Sequence, residues 1–261
     1  MEIAAKLARS ADKVLNFIIL SLLLLALLYG GYALWDTWQV YDSAGMDEAL
    51  YRYRPTAATA EDGSNPTLHE LAALNPDVRA WLCIDGTNID YPVAQGADNV
   101  KYVNTDVYGS YSLSGCIFLD FSCAPDFSDF YSLLYGHHMD GGMMFGDLAH
   151  FLDADYFDAH RTGTLYLPDS THEIELFACL SVDAYDELVF DPRKKTEADK
   201  AALLVYIENT AINYREIGVE TGDRIIGLST CSDASTNGRT VVYGRLTERT
   251  YLEQGGVEET P

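Results

Sequence analysis

Residues 224–246 read RIIGLSTCSDASTNGRTVVYGRL. An apolar run stops at Cys231, a small polar loop follows, and Arg239 opens a second run rich in β-branched residues. Two such runs around a Ser/Asp/Asn/Gly loop predict a strand–loop–strand unit. The unit sets a thiol and a guanidinium at facing strand ends. That position suits a reactive cysteine better than a buried one.

Working outward, the same short-run pattern recurs upstream in WLCID, IDYPVAQ, GCIFLDF, YSLLYGH, GTLYLP and EIELFACLSV, punctuated by Gly, Pro and Asx residues. With the two runs above this makes eight strand candidates, which argues for a barrel or sandwich rather than a doubly wound sheet. Two helical patterns flank them. TLHELAALN carries a capping-box signature, Thr67 with Glu70, before its leucines. Residues 196–217, TEADKAALLVYIENTAINYREI, place Thr196 as a cap with Asp199 three later, and put Leu204, Ile207 and Ala211 on one face. This second helix is inserted just before the cysteine strand.

The chain has 261 residues and a formal charge of −23. Lys6, Arg9 and Lys13 outweigh Glu2 and Asp12 by one charge, so the rest carries −24. So acidic a domain cannot hold a polyanion by counterion release, which excludes nucleic acid as a partner. Residues 14–35, VLNFIILSLLLLALLYGGYALW, are uncharged; as a helix they span about 33 Å, enough to cross a bilayer core. Basic residues precede the run and acidic ones dominate after it. The positive-inside rule then leaves the N-terminus in the cytoplasm and the large domain outside. A cleaved signal peptide shares this layout, but the run is long for a signal core and lacks a clear A-x-A site, which favours an uncleaved single-pass anchor in the lipid bilayer. Residues 36–53 are expected to be helical, and RPTAATAEDGSNP (54–66) reads as a linker.

Of the five cysteines, Cys83, Cys116 and Cys179 sit inside apolar runs and read as small buried hydrophobes. Cys123 is close enough in sequence to Cys116 for a local bridge, which the sequence leaves open. Cys231 alone lies where a strand gives way to a polar loop. A cysteine nucleophile needs a proton carrier and a group to hold the oxyanion. Arg239, eight positions on, supplies a charge that does not titrate away. His137, at the end of YSLLYGH where a Gly-rich loop begins, supplies the imidazole. His138 alternates to the other side and is assigned to packing or surface. Arg245 lies about 20 Å further along an extended strand and cannot serve the same thiol. Ser229 shares the strand face of Cys231 by alternation.

GLSTC with its downstream arginine and VVYGRL, together with YGHHM and MFGDL, resembles a sortase, and more narrowly a class B sortase. NPDVRAWLCIDGTNIDYPVAQGADN, GCIFLDF and the helix before the cysteine strand agree, so the resemblance runs from about Thr67 to Arg249. It implies a mainly β fold: an eight-stranded β-barrel with an N-terminal helix and an inserted helix, preceded by one transmembrane helix. The chain then divides into a cytoplasmic N-terminus (1–13), anchor (14–35), juxtamembrane helix and linker (36–66), catalytic domain (67–250) and acidic tail (251–261). The resemblance implies a transpeptidase. Cys231 attacks a backbone carbonyl in the C-terminal sorting signal of a secreted protein, and an amine of a peptidoglycan precursor or a pilin resolves the thioacyl enzyme. His137 moves the protons and Arg239 holds substrate and oxyanion. Ser229 and Thr230 are assigned to substrate binding, and no metal or organic cofactor is implied. One departure stands out: many sortases read TLxTC, and Gly227 replaces that first Thr.

Two other functions remain open on sequence. His137, His138, Asp140, Asp147, His150, Asp153, Asp155 and His160 form an imidazole–carboxylate-rich segment suited to a divalent metal in an extracellular hydrolase, although the spacing matches no zinc signature. A catalytically inactive, membrane-tethered binding module on the same barrel is the other.

Overall fold

The structure is a computed structural model that describes residues 2–44, 48–56, 64–231 and 237–248. Linker residues 57–63, Asp233 and the acidic tail 251–261 lie outside the described residues, and Cys231 is described through its backbone. The chain divides into two compact units, residues 1–43 and 44–261.

The first unit is helix α1, Glu2–Ala44. Within it Asp12–Gln39 is long and apolar enough to cross a membrane. Two of its hydroxyls bond within the helix: Ser21 Oγ donates to the carbonyl of Phe17 and Thr37 Oγ1 to that of Ala33.

The second unit begins with two short helices, α2 (Glu48–Tyr51) and α3 (Pro66–Leu74). The capping-box pattern points to Thr67 as the N-cap of α3, but the cap lies two residues earlier. Pro66 occupies the first turn and Asn65 is the cap residue, without a side-chain cap bond. Proline suits that position because its missing N–H has no helical partner anyway. The Asn65 amide instead donates to the carbonyls of Leu167 and Ser170 and to Thr171 Oγ1, tying the helix to a hairpin about a hundred residues away.

Strands β1 (Val78–Ile84), β2 (Asp90–Ala94), β3 (Ile117–Leu119), β4 (Tyr131–Tyr135), β5 (Thr162–Leu167) and β6 (Ser170–Asp183) follow, with helix α4 (Ala154–Ala159) before β5. After β6 come α5 (Glu187–Phe190), α6 (Glu197–Thr210), a two-residue strand β7 (Asn213–Tyr214), β8 (Arg224–Cys231) and β9 (Gly238–Glu248). The sheet order is β5-β1-β2-β3-β4-β8-β9-β6, and β6 pairs back onto β5. That last pairing closes the eight expected strands into a barrel, which leaves no long open edge. β7 is an addition, pairing with β6 at Ala178 and Cys179 beyond the reach of β5.

The inserted helix α6 has the expected capping box: Thr196 Oγ1 accepts from the N–H of Asp199, whose carboxylate accepts from the N–H of Thr196. Such a cap stabilises by about 1 kcal/mol. The helix ends at Thr210, not at residue 217, because residues 212–215 turn to bond the β6 backbone at Cys179 and Phe177. Leu203 and Ile207 are its buried residues.

Period-two alternation sorts the strands into faces. Ile226, Leu228, Leu134, Leu176 and Val242 point into the barrel, where Phe145, Leu148 and Phe151 also pack. Ile225, Tyr131, Leu133, Val241 and Tyr243 face outward and are covered by Leu203 and Ile207 of α6 and Val189 of α5. A third cluster packs Leu68 and Leu71 of α3 against Val78, Trp81, Tyr102 and Phe118.

Gly227 stands on the outward face. A side-chain carbon there would lie 2.7 Å from the hydroxyl of Tyr131, itself fully buried. Tyr131 and Tyr243 lie over this position with ring centroids 5.8 Å apart. The departure from TLxTC is therefore compensated: aromatic volume fills the space a threonine would occupy.

Cys83, Cys116, Cys123 and Cys179 are all free thiols, so Cys116 and Cys123 are not bridged. Burial pushes the thiols of Cys116, Cys123 and Cys179 up to about 12, which keeps them protonated and unreactive near neutrality.

Candidate active site

β4 and β8 run parallel, with Tyr135 opposite Ser229. The N–H of Gly136 continues the ladder by donating to the carbonyl of Ser229. Both chains advance in the same direction from that pair, so His137 and Cys231 each lie two residues beyond it. β8 and β9 are antiparallel, and Cys231 is the register partner of Arg239. Strand β4, distant in sequence, and the consecutive strands β8 and β9 thus deliver His137, Cys231 and Arg239 to one end of the β4–β8–β9 wall.

A cavity of about 420 Å³ opens at that end, and His137, Ser229, Thr230 and Arg239 all line it. Val103 and Asn99 form one side, and Ala184 and Phe190, from the segment carrying α5, the other. The cavity therefore sits outside the barrel, in the groove between the α3 cluster and the α5–α6 cluster.

His137 is held at both ends. Its carbonyl accepts from the N–H of Phe145. Its Nε2, 2.8 Å from the carbonyl oxygen of Val103, must carry the proton it donates there. In the neutral ring this leaves Nδ1 as the basic nitrogen. The Val103 carbonyl is itself fixed by its surroundings. Tyr102 is fully buried, its hydroxyl donates to Asp77 and accepts from Asn75, and its carbonyl accepts from the N–H of Cys116. Gly115 sits at φ +62°, where a side-chain carbon would lie 2.5 Å from the carbonyl oxygens of both Tyr102 and Val103. Glycine is needed there for both the conformation and the close approach.

Arg239 donates to the carbonyl of Gly238, and no carboxylate among the described residues is within ion-pair distance of it. Pairing with Asp233, the competing explanation of this arginine, lies outside the described residues. By contrast Arg245 pairs with Glu175 at 2.6 Å and Asp223 at 3.9 Å, a role in holding strands together. Among the described residues the hydroxyls of Ser229 and Thr230 are buried without a hydrogen-bond partner; alternation sets Ser229 on the outward face of β8 and Thr230 on the barrel face with Leu228. Tyr135 on the cavity wall donates to Asp120, which also accepts from Asn99. Burial first, then the Asp120 charge, raises the Tyr135 hydroxyl far above the usual tyrosine range.

His138 is exposed and forms an isolated bridge with Met144, away from the residues lining the cavity. The histidines and aspartates that follow do not gather into a metal-ligand set among the described residues. Asp147 is buried and accepts from the backbone and side chain of Asn88. His160 has a carbonyl at each ring nitrogen, those of Tyr156 and Gly86. These groups brace loops. The sequence pattern does not reveal Val103, Asn99, Ala184 or Phe190 as part of the site. A backbone carbonyl carries no residue signature, and the others become neighbours only through barrel closure.

Residues 82–247 match the sortase-domain family model. The chain is 30% identical to sortase B of Listeria monocytogenes over 246 residues, covering 90% of this chain and 98% of that protein. Among solved structures, a Streptococcus pyogenes class B sortase involved in pilus biogenesis is 40% identical with a TM-score of 0.62, covering 69% of this chain and 97% of that one. A sortase B from the type II pilus of Streptococcus pneumoniae is likewise 40% identical, TM-score 0.60, covering 69% and 98%. With the closed barrel and the strand-end cavity, these matches place the chain in the sortase family, within class B: it is a cysteine transpeptidase that cleaves sorting motifs and joins the released acyl group to amines.

Proposed function

We propose that Cys231 is the nucleophile of this transpeptidase, His137 its proton carrier and Arg239 the group that holds the substrate carbonyl and the oxyanion. The observation that supports the assignment is the double register: the backbone of Cys231 ends β8 level with His137 and opposite Arg239, and His137 and Arg239 line one cavity. The thiolate of Cys231 attacks the scissile carbonyl carbon, and the tetrahedral oxyanion forms near the guanidinium. The C–N bond then breaks as the imidazolium of His137 gives its proton to the leaving amine. A thioester remains on Cys231. An incoming amine attacks it, His137 takes the proton, the C–S bond breaks and a new amide forms. Ser229 and Thr230 bind substrate, as two residues that line the cavity beside His137 and Arg239.

The substrate in this reading is the C-terminal sorting signal of a secreted protein. The two pilus-related class B relatives at 40% identity favour a pilin amine as acceptor over a peptidoglycan-precursor amine. Offering the full chain both amines with one sorting peptide tests the choice: the pilin-derived lysine peptide should dominate the products, and dominance of the wall-precursor amine would reverse it.

Helix α1 anchors the chain in the bilayer with its N-terminus in the cytoplasm and the barrel outside. Lys6, Arg9 and Lys13 lie before the apolar span. Tyr29, Tyr32, Trp35 and Trp38 are exposed towards its other end, the composition of an interfacial aromatic belt. Protease added to intact cells should remove the barrel and spare the N-terminus; protection of the barrel would invert the orientation.

A further inference from the structure

A second cleft, about 530 Å³, is lined by Arg79 at the start of β1, by Arg224, the first residue of β8, and by Ser170 and His172 at the start of β6. Arg224 opens the strand that Cys231 ends, so this cleft and the thiol belong to opposite ends of β8.

These two arginines share with Arg52 and Arg239 the lack of a carboxylate within ion-pair distance among the described residues, although the chain is acidic. Arg54, Arg161, Arg193, Arg215 and Arg245 each have a carboxylate within ion-pair distance. Arg79 and Arg224 have none among the described residues. Arg79 donates to Gln95 Oε1 and to the carbonyl of Pro76. Arg224 donates to the carbonyl of Phe127 and to Nδ1 of His172. All four acceptors are neutral; Asp77 senses the charge of Arg79 and Asp126, on the cleft wall, that of Arg224, but neither carboxylate is within ion-pair distance.

His172 is buried, with 5% of its surface exposed. Because its Nδ1 accepts from Arg224, the neutral ring carries its proton on Nε2, which lies 3.1 Å from Ser170 Oγ. Ser170 Oγ accepts that proton's hydrogen bond, so its own hydrogen is available to the cleft. The polar groups therefore run in one sense, guanidinium to imidazole to hydroxyl, and present donors to whatever enters. Two carboxylates also line the cleft. Asp169 is engaged with His69, and Asp126 accepts from Ser128, so both are partly spent on local partners.

We propose that this cleft is a binding site for a phosphate-bearing group, a phosphomonoester or phosphodiester, separate from the transpeptidase cavity. Fixed guanidiniums with further donors suit a tetrahedral anion with several acceptor oxygens. The chemistry is common to soluble phosphate compounds and to phospholipid headgroups.

Calorimetric titration of the full chain, held in nanodiscs of uncharged phosphatidylcholine, tests it with inorganic phosphate and glycerol 3-phosphate at constant ionic strength. Saturable binding should weaken at least tenfold in Arg79→Gln/Arg224→Gln, and Arg224→Lys should recover part of it. Transpeptidation by the double variant should stay within about twofold of wild type, since neither residue lines the catalytic cavity. Transfer to phosphatidylglycerol nanodiscs separates the sources: a headgroup ligand weakens the apparent phosphate affinity by competition, a soluble ligand leaves it unchanged. Should the double variant not fold, Arg79→Gln alone must still weaken binding severalfold. Absence of saturable heat in the wild type, or equal affinity in a folded variant, overturns the proposal.

Discussion

Cys231 and Arg239 are direct partners in the antiparallel register of β8 and β9. A loop of variable length between them leaves that relationship untouched, because the ladder from Arg224–Leu246 to Cys231–Arg239 sets it. Arg239 is therefore placed by the sheet, and its charge is not consumed by any described carboxylate. Arg239→Lys should lower kcat/KM by roughly a hundredfold, because an ammonium does not reproduce a planar fork of donors at a developing oxyanion. Steady-state rates with a sorting peptide and an amine check this. A variant within twofold of wild type would make Arg239 a structural residue.

The Val103 carbonyl fixes the proton of His137 on Nε2. Nitrogen-15 NMR of histidine-labelled full chain should show the neutral His137 ring protonated at Nε2 and bare at Nδ1. His137→Ala should be nearly inactive while His138→Ala, altering an exposed ring, keeps most activity. A ring protonated at Nδ1, or the reverse ranking of the two variants, would contradict the assignment.

Gly227 has no room for a side chain while Tyr131 fills the space above it. Gly227→Thr, which restores the TLxTC pattern, should destabilise by about 1–3 kcal/mol through overpacking. Combination with Tyr131→Leu should recover part of the loss, read as coupling in a double-mutant cycle of thermal or denaturant unfolding. Additive effects would show that the ring is not what excludes the threonine.

Four of the five thiols are accounted for by their environments. Cys116, Cys123 and Cys179 are buried with thiols pushed up to about 12, and Cys83 is half-buried with its thiol also raised, first by burial. At pH 8 limited alkylation of the full chain should modify Cys231 first and Cys83 slowly, sparing the other three until denaturation. Peptide mapping reads the order, and early modification of Cys179 would refute the burial argument.

The features legible in the sequence were the local ones. Alternation in 224–231 and 239–246 marks two strands, and Thr196 with Asp199 marks the start of α6, because each signal lies within a few residues. Thr67 misled for the same reason. Its pattern is a sound local cap, but Asn65 is committed to Leu167, Ser170 and Thr171, and Pro66 takes the first turn. The end of α6 at Thr210 depends on a backbone contact to β6, which no window around residue 210 contains. At the site, Cys231, His137 and Arg239 stood out as chemistry-bearing residues at strand ends. Val103 was invisible because its contribution is a carbonyl oxygen, and Asn99 and Phe190 because only barrel closure brings them to the cavity.

The most direct test is intact-mass and peptide-mapping spectrometry of the full chain incubated with a small library of sorting peptides, with and without an amine. Without amine, one acyl adduct should accumulate, mapped to Cys231 and absent from Cys231→Ala; amine should discharge it into a ligated peptide. Turnover by Cys231→Ala, or an adduct on any other residue, would contradict the proposed thiol, imidazole and guanidinium site.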